Sequence, residues 1–140
     1  MRKLVVAGVL AAAALLAIPA SAAFDHHFSV ISRPVSGHVV GGTKFVFKEK
    51  LFDPHHRRDK VGRDWAVCKD QHHTTKCRAH IHLNGEIGGF GDIGGIGRLG
   101  PTDRRLNVAW GTRDFKEVAG KVTIHDAKGN AAKLRFDLVR

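Results

Sequence analysis

Thr43-Lys44-Phe45-Val46-Phe47-Lys48-Glu49-Lys50-Leu51-Phe52 alternates residue by residue. Phe45, Phe47, Glu49 and Leu51 fall on one side, and Lys44, Val46, Lys48 and Lys50 on the other. A period of two marks a strand that buries one face. The lysines must be solvated, so the phenylalanine side is the inner one. A slip of one residue would bury Lys44, Lys48 and Lys50 together, which fixes the register.

Outward from this stretch the chain keeps producing short β-patterned segments. Phe28–Ser32, Val61–Cys68, Cys77–Leu83 and Ile87–Ile93 are extended by pattern or by β-branched content. Leu106, Val108 and Trp110 alternate with Asn107 and Ala109. Gly120–His125 and Ala131–Val139 flank Asp126-Ala127-Lys128-Gly129-Asn130, a hairpin turn. In the last segment Ala132, Leu134, Phe136 and Leu138 face one way, against Lys133, Arg135 and Asp137. The best helical candidate, Asp114 to Gly120, is barely two turns and ends on glycine. Strands this short and this frequent, with their turn signals, predict an all-β fold of seven or eight strands, a small antiparallel β-barrel or sandwich.

Only part of the 140 residues belongs to it. Met1-Arg2-Lys3 is followed by the apolar run Leu4 to Ile18 and by Pro19-Ala20-Ser21-Ala22, whose small residues suit a signal-peptide cleavage site. The run is too short to span a membrane. Residues 1–22 are therefore expected to be a signal peptide of a secreted, extracellular protein. Residues 23–42 form an N-terminal segment with a short first strand, and 43–140 the barrel domain. A two-domain enzyme is excluded by length, and a disordered chain by the 43% of hydrophobic residues.

Lys and Arg number 23 against 13 acids, a net charge of +10. Such a balance suits anionic partners such as a cell-envelope polymer, anionic lipid or nucleic acid, among which composition does not choose, and the scattered basic residues equally suit a dispersed solubility role. The expected polymer partner is an anionic cell-envelope polymer, with no specific nucleic acid. The two cysteines, Cys68 and Cys77, are expected to pair in an exported protein. Buried free thiols, or a metal site with His72 and His73, are the alternatives.

Few patterns carry chemistry. Gly89-Phe90-Gly91-Asp92-Ile93-Gly94 and Gly95-Ile96-Gly97-Arg98-Leu99-Gly100 match the spacing of a dinucleotide fingerprint. Pro101 follows and no βαβ unit surrounds them, so they read as glycines of a tightly curved strand. His80-Ile81-His82 with Glu86 resembles the first metal motif of cupins. The opposite face, Ala79-Ile81-Leu83, is the more apolar, so the histidines are expected in solvent without metal; His80, His82 and Glu86 remain the metal alternative. Glu49 is the sharpest signal: a carboxylate on an apolar inner face resists ionisation and can exchange protons with a substrate. It is the candidate catalytic acid/base. Phe45, Phe47, Leu51, Trp110 and Phe136 are the expected ligand-lining residues, with Trp65 and Phe90 among further aromatics that could face inward. No paired carboxylates and no Ser/His/Asp arrangement are visible.

Several segments together resemble a known superfamily. Phe45-Val46-Phe47-Lys48-Glu49 resembles the first-strand Phe-Tyr-Phe-His-Asp of plant dirigent proteins. Val61-Gly62, Val67-Cys68 and Cys77 with Leu83-Asn84-Gly85-Glu86-Ile87 resemble the middle of allene oxide cyclase barrels. Val108-Ala109-Trp110-Gly111-Thr112-Arg113-Asp114-Phe115 through Gly120-Lys121-Val122 resembles their Val-x-Gly-Gly-Thr-Gly-x-Phe-x-x-Ala-x-Gly-x-Val segment. The resemblance covers residues 43–139. It implies a closed eight-stranded barrel, often oligomeric, with an apolar cavity and no cofactor. Family members cyclise a reactive lipid epoxide or steer coupling and ring closure of phenolic intermediates. Glu49 falls on the family's first-strand acid, and Cys68 on a cyclase cysteine. Trp110 and Arg113 replace two motif glycines, and Ala119 replaces a dirigent arginine. The expected function is binding of a small apolar or phenolic molecule, with cofactor-free isomerase or cyclase activity. A non-catalytic, basic envelope-associated binding protein is the alternative, and a cupin-like metal-binding barrel a further one.

Overall fold

The structure is a computed structural model that describes residues 25–140. The signal peptide read over 1–22 lies outside the described residues. Eight strands follow in order: β1 (Asp25–Val40), β2 (Lys44–Phe52), β3 (Lys60–Gln71), β4 (Thr74–Asn84), β5 (Phe90–Leu99), β6 (Arg105–Gly111), β7 (Ala119–Asp126) and β8 (Ala132–Val139). Each pairs antiparallel with the next, and β1 pairs with β8, so the sheet closes into a barrel. The all-β, eight-stranded expectation holds. The helical candidate after β6 is one 3-10 turn, Arg113–Phe115.

β5 spans Phe90–Leu99 where Ile87–Ile93 was expected, so the glycine run to Leu99 is strand, and β3 and β4 each extend about three residues further toward their shared turn. Two further strands differ from their sequence reading at a bulge. β1 runs well past Phe28–Ser32. Its first half pairs with β8 and its second half with β2, and the ladder shifts between Pro34 and Ser36. Proline cannot donate to a ladder, and a bulge is where a strand tolerates it. Arg33 to Val40 are all exposed, so no inward alternation marked this half in the sequence. In β6 the second bulge lies opposite Gly94 and Gly95: Gly94 faces Trp110, while Gly95 faces Val108. Ala109 is the extra residue. The alternation of Leu106 and Val108 is broken there, and Trp110 turns to the outside.

One end of the barrel is plugged. Phe28 stacks on Phe136 with ring centroids 4.5 Å apart, and Phe115 from the 3-10 turn lies 6.4 Å from Phe28. Leu51, Leu83, Ile93 and Leu138 complete this apolar layer without solvent contact. The plug leaves no space beside it: Gly88 has φ +74°, and a Cβ there would stand 2.5 Å from the Phe28 ring. Toward the other end the inner residues become small. Ala66, Ala79, Gly95 and Ala132 replace the large side chains and leave the interior open there.

Phe136→Ala should therefore cost about 3–5 kcal/mol, the usual loss for a sealed core phenylalanine. Equilibrium guanidinium unfolding checks this; a loss under about 1 kcal/mol would contradict the plug.

Candidate functional site

The open half of the interior is a cavity of about 300 Å³. Ile81, Leu106, Val122 and Leu134 supply apolar walls, and the Cys68–Cys77 disulfide forms another part of them. Cys68 and Cys77 are direct cross-strand partners, so the hairpin β3–β4 is stapled across the cavity wall. At the mouth, Arg104 bonds Asp126 through Nη1 at 2.5 Å.

Glu49 points into this space, as the alternation of β2 requires. Its Oε2 accepts a short hydrogen bond from the Ser32 hydroxyl of β1, and Ser32 is itself fully buried. The cross-strand partner of Glu49 on β3 is Asp64, which shares the cavity. Asp64 is 7% exposed, and its Oδ1 has no hydrogen-bond partner among the described residues. Burial pushes its pKa up, and the charge of Glu49 and a hydrogen bond with it push the same way, to about 8. Two carboxylates this close resist ionising together, so the second proton stays on the pair near neutral pH.

This pair corrects the sequence reading, which found no paired carboxylates. Asp64 was hidden because Trp65 and Val67 are the larger apolar residues of their strand and share the parity of Arg63. The structure sends Gly62, Asp64, Ala66 and Cys68 inward instead, and Val61 is buried as well, beside the irregularity opposite Leu51 and Phe52. A signal was present: Asp64 shares the parity of Cys68.

The other expected lining residues divide. Phe47 borders the cavity, partly exposed, and Phe45 lies beyond it toward the rim with its ring 6.3 Å away. Leu51 and Phe136 are buried in the plug, not in the cavity. Trp110 stands on the outer wall, 44% exposed, because of the β6 bulge. Trp65 and Phe90 are exposed as well, and so do not line the interior.

The histidine pair also faces outward. His80 Nε2 and His82 Nδ1 both lie 3.0 Å from Asp92 Oδ1, and the Thr112 hydroxyl donates to Asp92 Oδ2 at 3.3 Å. Partial burial pushes Asp92 up, but hydrogen bonds from the two imidazoles outweigh it and hold the carboxyl below its ordinary range. Glu86 is exposed on the β4–β5 turn and bonds Asn84 through its backbone. Among the described residues no group of three or more His, Cys, Asp or Glu is arranged to hold a metal ion.

No protein-family profile matches the chain, and no curated protein matches its sequence. Solved structures do match. Pyocyanin demethylase superimposes with a TM-score of 0.63 at 18% identity, over 80% of this chain and 98% of that one. The structure of a pterocarpan synthase dirigent protein gives 0.61 at 13% identity, over 84% of this chain and 87% of that one. The chain has the dirigent-like barrel fold. The segment resemblances read over residues 43–139 are thus matched by the architecture. In this dirigent-like barrel, two facing carboxylates stand at the cavity wall.

The raised pKa of Asp64 has a signed consequence. The folded state keeps a proton that the unfolded chain releases, so stability falls as pH rises from about 4 to about 8. Asp64→Asn removes that cost. Its melting temperature should exceed the parent's by a margin that widens across this window, corresponding to about 1–4 kcal/mol at the top. A margin independent of pH would mean that Asp64 titrates as an ordinary carboxyl.

Proposed function

We propose that the cavity binds one small apolar or phenolic molecule and steers its cyclisation, Asp64 giving a proton and Glu49 taking one. The observation that carries this reading is the Glu49–Asp64 pair at the wall of an otherwise apolar cavity. A volume of about 300 Å³ lies at the low end for small-molecule sites and suits a single compact ligand. The likeness to a pterocarpan synthase dirigent protein and to pyocyanin demethylase supports a small aromatic substrate class. The basic mouth residue Arg104 would favour a substrate with an electron-rich edge.

The chemistry balances without an oxidant or reductant. In a quinone methide that carries a phenol, the hydroxyl oxygen attacks the methide carbon. The C–O bond forms, the methide π pair moves into the ring, and the quinone oxygen takes the Asp64 proton. The hydroxyl proton passes to Glu49. Substrate and product are isomers, and the proton returns from Glu49 to Asp64 through their shared contact. The apolar walls fix the face of attack and exclude water, which would otherwise add to the same carbon. This is cofactor-free isomerase or cyclase chemistry. The Cys68–Cys77 bond is compatible with a secreted protein, as expected from residues 1–22.

The test uses a hydroxyphenyl quinone methide released photochemically in the presence of the protein. The ring-closed product should form faster than in buffer and with an excess of one enantiomer. Glu49→Gln and Asp64→Asn should each lower the rate by about 10²–10⁴-fold while the fold is kept. A racemic product at the buffer rate, or variants as active as the parent, would contradict the reading.

A further inference from the structure

The outer wall of β2 to β6 is organised in cross-strand rows. Lys44, Lys69, Lys76 and Arg98 stand side by side in the first row. Val46, Val67, Arg78, Ile96 and Asn107 make the second. Lys48, Trp65, His80, Gly94 and Trp110 make the third, and Lys50, Arg63, His82 and Asp92 the fourth. Successive rows are about 7 Å apart, and the strands about 4.8 Å apart. The wall thus carries eight Lys and Arg side chains, all exposed, and Asp92 as its one carboxylate. Asp92 is already engaged by His80 and His82. Among the described residues none of the eight cations is in an ion pair.

Across its centre runs an aromatic strip. The Trp65 ring stacks on His80 at 3.8 Å, and His80 meets Trp110 edge-on at 4.9 Å. Trp110 lies over Gly94, where a Cβ would stand 2.0 Å from its Nε1. Only glycine lets an indole lie flat on the sheet there. Both tryptophans are more than a third exposed, and a depression of about 720 Å³ follows the strip, bounded by Lys44, Lys69, Lys76 and Arg78.

We propose that this wall binds a linear anionic glycan, its sugar rings lying on the Trp65–His80–Trp110 strip and its acidic groups meeting the flanking cations. The charge of the wall favours an anionic partner. A second copy of the chain fits poorly, because a two-fold contact would bring eight cations against eight. Single-stranded nucleic acid binds by slotting bases onto open aromatic faces. Here the three rings are packed against one another, which leaves a continuous apolar ledge rather than slots between rings. The disulfide is compatible with the oxidising surroundings where anionic glycans are displayed. The site is separate from the cavity, on the other face of the same strands.

The test is fluorescence and calorimetric titration of the full chain with an oligogalacturonate of about ten sugars, long enough to cross the wall. Tryptophan fluorescence should shift on binding, and raising salt from about 0.05 M to about 0.5 M should weaken affinity about tenfold or more. Lys69→Glu with Lys76→Glu, and separately Trp110→Ala, should each weaken it about tenfold or more, with unchanged circular dichroism. Lys128→Glu with Lys133→Glu, an equal charge change elsewhere, should stay within about twofold. Asp64→Asn should bind as the parent does, whatever its effect on the cavity. The proposal is overturned if oligogalacturonate fails to bind at low salt, or if the two double variants lose equally. It is equally overturned by tighter binding of oligothymidine, or by a self-association that Trp110→Ala abolishes.

Discussion

Closure of the sheet is the constraint from which the other features follow. With β1 hydrogen-bonded to β8 there is no free edge, and every strand must send alternate residues into one small interior. Once β2 commits Phe47, Glu49 and Leu51 inward, its neighbours have no independent choice of face. Leu51 opposes Gly62, Glu49 opposes Asp64, and Phe47 opposes Ala66. The strip of tryptophan and lysine on the outside is the other half of the same alternation. Cavity, carboxylate pair and basic wall are three products of one register.

That register places an energetic liability inside. Asp64 is buried with an oxygen left without a partner, beside the negative charge of Glu49. A core built for stability alone would use an apolar residue there. Ser32 offers Glu49 one hydrogen bond, but nothing comparable reaches Asp64 Oδ1 among the described residues. Unsatisfied, proton-holding groups of this kind concentrate where chemistry or ligand binding uses them. The phenylalanine plug at the opposite end offsets the cost by packing Phe28, Phe115 and Phe136 without gaps.

Much of the fold was legible from period-two patterning, because a half-buried strand writes its inner face directly into the sequence. β2 and β8 were read to within a residue or two for that reason. The cysteine pair pointed to the β3–β4 hairpin, since a bond between residues nine apart folds the chain back on itself, and here the two are direct cross-strand partners. The site was only half legible. Glu49 stood out against phenylalanines, whereas Asp64 sat among Gly62 and Ala66, and small inner residues look like an outer face. Trp110 was misplaced because a bulge shifts parity without leaving a compositional mark beyond the glycines opposite it. β1 was shortened because its second half pairs with β2 alone and has no buried side.

The account turns on one proton held at the Glu49–Asp64 pair inside an apolar cavity. Carbon-detected NMR titration of the aspartate side-chain carboxyls, assigned by comparison with Asp64→Asn, measures it directly. The account predicts that the Asp64 carboxyl titrates far above its ordinary range, near a midpoint of about 8. A midpoint at about 4, with the other surface aspartates, would contradict it.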